Sequence, residues 1–205
     1  AQTGPATPGE PSGHALSAEQ TEALAALAGA SAPVLLYGAT GSGKTEVYLR
    51  ATQDVLETPV PEGETPTQVL VMVPEINLTP QLEARFRERF EPAFGAGSVV
   101  CLHSGMTPAQ RLSSWLAAHT GVARIVLGTR MAVFASLPGL RLIVVDEEHD
   151  PSYKSQEGAR YSARDLAIYR AKVETEALEA AAAVHRSDPR PNPLPEGKGV
   201  NSPRC

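Results

Sequence analysis

The chain has 205 residues, 42% hydrophobic and 20% charged, an ordinary globular balance. A formal net charge of −5 argues against broad electrostatic capture of nucleic acid, so any such site must be local. Cys101 and Cys205 form no CxxC pair, which excludes a disulfide framework and a clustered zinc site. No apolar run approaches the ~18 residues of a membrane span. Ala1–Glu10 lacks the charged and apolar regions of a secretion signal, so a cytoplasmic protein with no membrane partner is expected.

Residues 1–14 are rich in Pro, Gly and Thr and read as a linker. Ser17 with Gln20 three residues on is a capping-box signature and opens a helix, with Leu24 and Leu27 on its apolar face. Short apolar runs bounded by turn residues predict strands at Val34–Tyr37, Val69–Val73, Val99–Leu102, Arg124–Leu127 and Leu142–Val145. Helical patterns are expected at 44–56, 79–90, 107–118 and from Arg164 to about Ala183. Thr58–Thr67 holds three prolines and reads as a loop. The alternation predicts an α/β domain over residues 15–183, a mostly parallel sheet with helices on both faces. Residues 184–205 carry five prolines and few apolar side chains, so a disordered tail is expected.

Gly38-Ala-Thr-Gly-Ser-Gly-Lys44-Thr45 fits G-x-x-x-x-G-K-[ST] between the first strand and a helix. Gly38, Gly41 and Gly43 can adopt backbone conformations closed to other residues. The main-chain N–H groups of Thr40 and Ser42 and their neighbours can then converge on an anion. Lys44 would meet the β- and γ-phosphates of a nucleoside triphosphate, and the Thr45 hydroxyl would ligate Mg²⁺.

A second cluster ends the last strand: Leu142-Ile-Val-Val-Asp146-Glu147-Glu148-His149. Buried carboxylates are costly unless paired or metal-bound. Beside a phosphate loop, Asp146 is expected to hold the same Mg²⁺ and Glu147 to deprotonate the attacking water. Glu148 reads equally as a surface carboxylate, and His149 as a coupling residue or a loop histidine. Arg85, Arg87 and Arg89 alternate with Glu83, Glu88 and Glu91 and read as a solvated helix face.

Asp146-Glu-x-His149 resembles the DEAD/DEAH box of superfamily 2 helicases, and Gln20, 18 residues before Gly38, stands where that superfamily keeps an adenine-reading glutamine. Val73-Pro-Glu-Ile-Asn-Leu-Thr-Pro-Gln81, Leu102-His-Ser-Gly105, Gly128-Thr-Arg130, Asp146-Glu-Glu-His-Asp150 and Ser152-Tyr-Lys-Ser-Gln-Glu-Gly158 are similar to the PriA family of replication-restart helicases. The similarity runs over roughly residues 15–172.

The resemblance implies a RecA-like lobe, the first of two, that binds ATP and Mg²⁺ in a 3′-to-5′ DNA helicase. It implies single-stranded and forked DNA as partners, with primosome and single-strand-binding proteins for the intact family member. It implies contacts to the DNA backbone from Thr129 and Arg130. Tyr153, Lys154, Arg160, Tyr161 and Arg164 would form a loop that senses unpaired DNA, by stacking and phosphate contact. The family's cysteine-rich zinc-binding region and second lobe have no counterpart here, so no zinc is expected. A truncated chain with little hydrolysis or unwinding alone is the first expectation. A non-catalytic, nucleotide-dependent docking module for DNA or protein is the alternative. A phosphate-loop kinase or transporter ATPase leaves Gln20 and Gly128-Thr-Arg130 unexplained.

Overall fold

The computed structural model describes residues 16–187 except Thr40, Glu62 and Glu157, with side chains up to residue 180. The linker expected over 1–14 lies outside the described residues, as does the tail expected over 184–205 from residue 188 onward; residues 184–187 are helical rather than part of a tail.

Among the described residues, nine α-helices and β-strands follow in order: α1 (Ala18–Ala28), α2 (Lys44–Glu57), β1 (Gln68–Met72), α3 (Pro80–Phe94), β2 (Val99–Leu102), α4 (Pro108–His119), β3 (Ile125–Gly128), β4 (Leu140–Val145) and α5 (Ala163–Ser187). The starts are written in the sequence. Ser17 accepts from the N–H of Gln20, whose side chain returns the bond, and Thr107 and Gln110 repeat this at α4. Thr79 accepts from the Leu82 N–H and places Pro80 at the first turn of α3, where proline loses no helical bond.

The four strands form one parallel sheet in the order β2-β3-β1-β4. Alternate side chains feed two cores. Val69, Val71, Ile125 and Leu127 meet Leu49 of α2 and Phe86 and Phe90 of α3 on one face. Leu70, Met72, Val126 and Leu140 meet Ala118 of α4 and Ala163 and Ala167 of α5 on the other. Helices therefore cover both faces, as the apolar runs require: each strand residue has an apolar layer to enter.

Gln68 is buried at the start of β1 and fully satisfied. Its amide nitrogen donates to the carbonyls of Ala118 and Ala123 at 2.7 Å each, and its oxygen accepts from the Gly139 N–H at 3.0 Å. One side chain thus ties β1 to the end of α4 and to the turn before β4. The register shift between Gln68 and Val69 sits at the same point.

One expected strand is not in the sheet. Val34–Tyr37 forms no regular element and pairs with none of the described strands; Leu35 is 70% exposed and Tyr37 95%. An apolar run becomes a strand only when a neighbouring ladder receives it, and β4 ends the sheet on the α2 side. The edge is visible in β4 itself, where Leu142–Val145 are only half-buried.

Candidate active site

The phosphate loop turns into α2 through two left-handed glycines, Gly41 at φ 82° and Gly43 at φ 84°. That conformation costs an L side chain about 1–2 kcal/mol. At Gly38 a Cβ would come within 2.6 Å of Ser42 Oγ, so the serine side chain would have to turn away. Thr40 lies outside the described residues. Because α2 begins at Lys44, the N–H groups of Lys44 and Thr45 have no acceptor within the helix, while that of Glu46 donates to the Gly43 carbonyl at 3.0 Å, and the positive end of the helix meets the loop. Lys44 Nζ donates to the carbonyls of Gly38 at 2.6 Å and Ala39 at 3.2 Å, which holds the ammonium against the loop.

Gln20 serves two structures at once. Its Oε1 accepts from the Ser17 N–H, and its Nε2 donates to the Gly43 carbonyl at 3.4 Å. A Cβ on Gly43 would fall on this amide.

Asp146 follows β4, and its N–H donates to the Met72 carbonyl at 2.9 Å, carrying the ladder one residue past the strand. Its Oδ1 accepts from the Glu147 N–H at 3.0 Å and its Oδ2 from the Tyr48 hydroxyl at 3.4 Å. Burial pushes its pKa up and the Glu147 charge adds to this. The Glu147 N–H, the Tyr48 hydroxyl and the Lys44 ammonium pull it back. Burial, together with Asp146, pushes the Tyr48 hydroxyl up to about 12, so it stays a donor.

Glu147 is the non-glycine residue with positive φ, 47°, among the described residues. Such an outlier costs on the order of 1–3 kcal/mol and concentrates at functional sites. His149 Nε2 stands 3.6 Å from Glu147 Oε2. Glu148 instead pairs with Arg164 at 2.9 Å, joining the acidic turn to α5.

Gly41, Gly43, Lys44, Thr45, Asp146 and Glu147 line one cleft of about 290 Å³. Two sequence segments a hundred residues apart therefore meet. A glycine cradle, an ammonium, a hydroxyl and a carboxylate pair suit a polyphosphate chain with a divalent cation. The Asp146 charge, raised in energy by burial, is the kind of group a cation stabilises. A larger hollow of about 460 Å³ lies along β2 between α3 and α4, lined by Glu83, Arg87 and His103 among others. It has no glycine cradle, and the first turn of α4 at its rim is already capped by Thr107 and Gln110, so a polyphosphate suits the smaller cleft better.

The residues expected to touch DNA are divided by burial. Thr129 is 2% exposed and its Oγ1 has no hydrogen-bond partner among the described residues, so the hydroxyl does not face a surface ligand. Tyr153 is likewise 2% exposed, packed with Ala163 and Ala167 of α5. The expectation of a base-stacking Tyr153 therefore does not hold here: the turn Pro151–Tyr153 tucks the ring inward. Arg130 is half-buried and donates to the Ser152 carbonyl at 3.4 Å. Tyr161 is half-buried, edge-on to Phe134 with 5.2 Å between ring centres. Lys154 and Arg160 are exposed. Arg164 is held by Glu148 and Asp165 at 2.9 Å each.

Sequence reading missed Tyr48, which reaches Asp146, and Arg85, which lines the phosphate cleft. Tyr48 was findable, since it stands four residues after Lys44 and shares its helix face. Arg85 was not, because its reach depends on how α3 packs on α2.

The parallel sheet, the glycine loop capping α2 and the acid pair beyond β4 define a RecA-like P-loop nucleotide-binding domain. Residues 17–185 match the model of the DEAD/DEAH box helicase family, and the chain belongs to that family. It is similar to the replication restart protein PriA of Haemophilus influenzae, 49% identical over 134 residues, which cover 65% of this chain and 17% of that protein. The PriA of Synechocystis is 44% identical over 169 residues, covering 77% of this chain and 19% of the relative. That of Bacillus subtilis is 42% identical over 138 residues, covering 67% and 16%. The chain thus spans less than a fifth of the length of these three relatives. None of the described helices is long and apolar enough to cross a membrane.

Proposed function

We propose that this chain is the ATP-binding motor lobe of a PriA-like 3′-to-5′ DNA helicase acting in replication restart. The observation that carries the reading is the meeting of Lys44, Thr45, Asp146 and Glu147 in one cleft. Lys44 would exchange the Gly38 and Ala39 carbonyls for phosphate oxygens, and Gln20 would read the adenine edge. Thr45 and Asp146 would hold magnesium, which supplies charge neutralisation at the phosphates. Glu147, turned by its positive φ, would accept the proton of the attacking water.

DNA would be met by the exposed Lys154 and Arg160, with Arg130, Tyr161 and Arg164 behind them. Primosome and single-strand-binding proteins are the partners this reading implies for an intact helicase. A translocating motor needs two bodies that move against each other, and the described strands form a single sheet. The 205-residue chain alone would therefore bind ATP, hydrolyse it slowly and not unwind. The intact acid pair favours this over a docking module without catalysis.

The test is equilibrium binding of a fluorescent ATP analogue with Mg²⁺ to the chain and to Lys44→Ala. Binding by the first and loss of roughly a hundredfold or more in the second are expected, because a charge-assisted phosphate contact is removed. Equal binding by the two proteins removes the phosphate loop from the reading. Slow ATP turnover that rises with single-stranded DNA separates a motor lobe from a kinase, which would not respond, and from a docking module, which would show none.

A further inference from the structure

Glu46, the residue after Thr45, is surrounded by three arginines. Arg89 places Nη1 at 2.9 and 3.1 Å from its two carboxylate oxygens, and Arg50 Nε stands at 3.1 Å. These three contacts, from two arginines, satisfy the carboxylate and hold its pKa down against the cost of burial. The third arginine, Arg85, is different. Its Nη2 lies 3.6 Å from Glu46 Oε2, beyond good hydrogen-bond length, and its side chain is 52% exposed. Arg85 also lines the cleft of Lys44, Thr45, Asp146 and Glu147, and its charge is felt at the Tyr48 hydroxyl that reaches Asp146. Arg89, one turn further along α3, is not among the residues lining that cleft.

We propose that Arg85 is a phosphate-contacting residue, supplied by this lobe itself, that recognises the terminal phosphate of the bound nucleotide. In this structure its guanidinium rests loosely on Glu46. When the phosphate chain occupies the cleft, the guanidinium swings from Glu46 to the terminal phosphate oxygens, where its fork geometry gives two parallel bonds. Glu46 keeps Arg50 and Arg89, so the exchange strands no buried charge. Arg85 shares the cleft with Asp146 and Glu147, the metal-holding and proton-accepting groups of the reaction, which places it at the γ end of the chain.

The inference rests on the nucleotide reading above, and the experiment separates the two. Affinities for a non-hydrolysed fluorescent ATP analogue and for fluorescent ADP, both with Mg²⁺, are measured for the chain and for Arg85→Ala, Arg85→Lys, Arg89→Ala and Lys44→Ala. Thermal melts check that each variant is folded. Arg85→Ala is expected to weaken the triphosphate roughly tenfold or more and the diphosphate less than about twofold. Arg85→Lys should recover part of the loss, because charge returns without the fork. Arg89→Ala, which removes the better Glu46 contact, should leave the ratio of the two affinities unchanged. Equal loss of both nucleotides in Arg85→Ala, or no loss of either, overturns the role of Arg85. If Lys44→Ala binds both as well as the parent chain, the phosphate-loop reading fails instead.

Discussion

The hydroxyl of Tyr153 donates to the main-chain carbonyl of Asp146 at 2.7 Å. The Tyr153 ring is buried between β4 and α5, and its hydroxyl pKa is pushed far up by burial and by the Asp146 charge. A residue of the segment after the acidic turn thus fixes the backbone of Asp146. Arg130 meets the same segment through the Ser152 carbonyl, and Arg164 meets the turn through Glu148. These bonds are a physical route between the loop 151–162 and the phosphate cleft.

Removing only the hydroxyl should show which role Tyr153 has. Tyr153→Phe leaves the half-buried Asp146 carbonyl without its donor and should cost about 1 kcal/mol of stability. A urea titration measures this as a lower midpoint at unchanged slope. A base-stacking tyrosine would behave oppositely: the phenylalanine would keep stability and single-stranded DNA affinity alike.

Glu147→Gln should bind the ATP analogue within about twofold of the parent chain and lose any residual turnover, because an amide cannot take the water's proton. Binding by fluorescence and phosphate release are read on the same preparation. Undiminished release would remove Glu147 from the role of base.

The Asp146 pKa is raised above the ordinary 3.8 chiefly by burial. For an acid shifted upward, the folded state holds the proton more tightly than the unfolded chain. The stabilisation is complete below 3.8 and disappears as pH rises through the folded value. Above that value the buried carboxylate is a net cost. Asp146→Asn should therefore melt a few degrees higher than the parent at pH 7.5 without magnesium, with the gap closing toward pH 4. A variant that melts lower at pH 7.5 would contradict the assignment. With Mg²⁺ and ATP the order should reverse, since the asparagine holds the cation poorly.

Gln68→Leu keeps the volume and removes three hydrogen bonds, stranding the Ala123 carbonyl and the Gly139 N–H, while the Ala118 carbonyl keeps the Gly121 N–H at 3.2 Å. A loss of roughly 3 kcal/mol is expected from buried unsatisfied groups. Denaturant unfolding checks it, and a loss below about 1 kcal/mol would mean that water replaces the amide.

Local signals carried most of the fold. Ser17, Thr79 and Thr107 start their helices by bonds within three residues, so their positions were legible in the sequence. β1–β4 were legible within two residues at either end, because a strand covered on both faces is a short unbroken apolar run. Val34–Tyr37 has the same composition and did not follow it. Its state depends on a ladder partner, which no window of sequence contains.

The site divides along the same line. The glycine spacing before Lys44 and the acids after Val145 were determined by sequence alone, because each is a local requirement: left-handed turns in one case, charge at a strand end in the other. Tertiary structure decided that these two segments share a cleft, that Tyr48 and Arg85 join them, and that Tyr153 and Thr129 turn inward. An aromatic or a hydroxyl reads the same in sequence whether it faces solvent or core. Only the packing of α3 on α2, and of α5 on β4, fixes which side of the surface each one occupies.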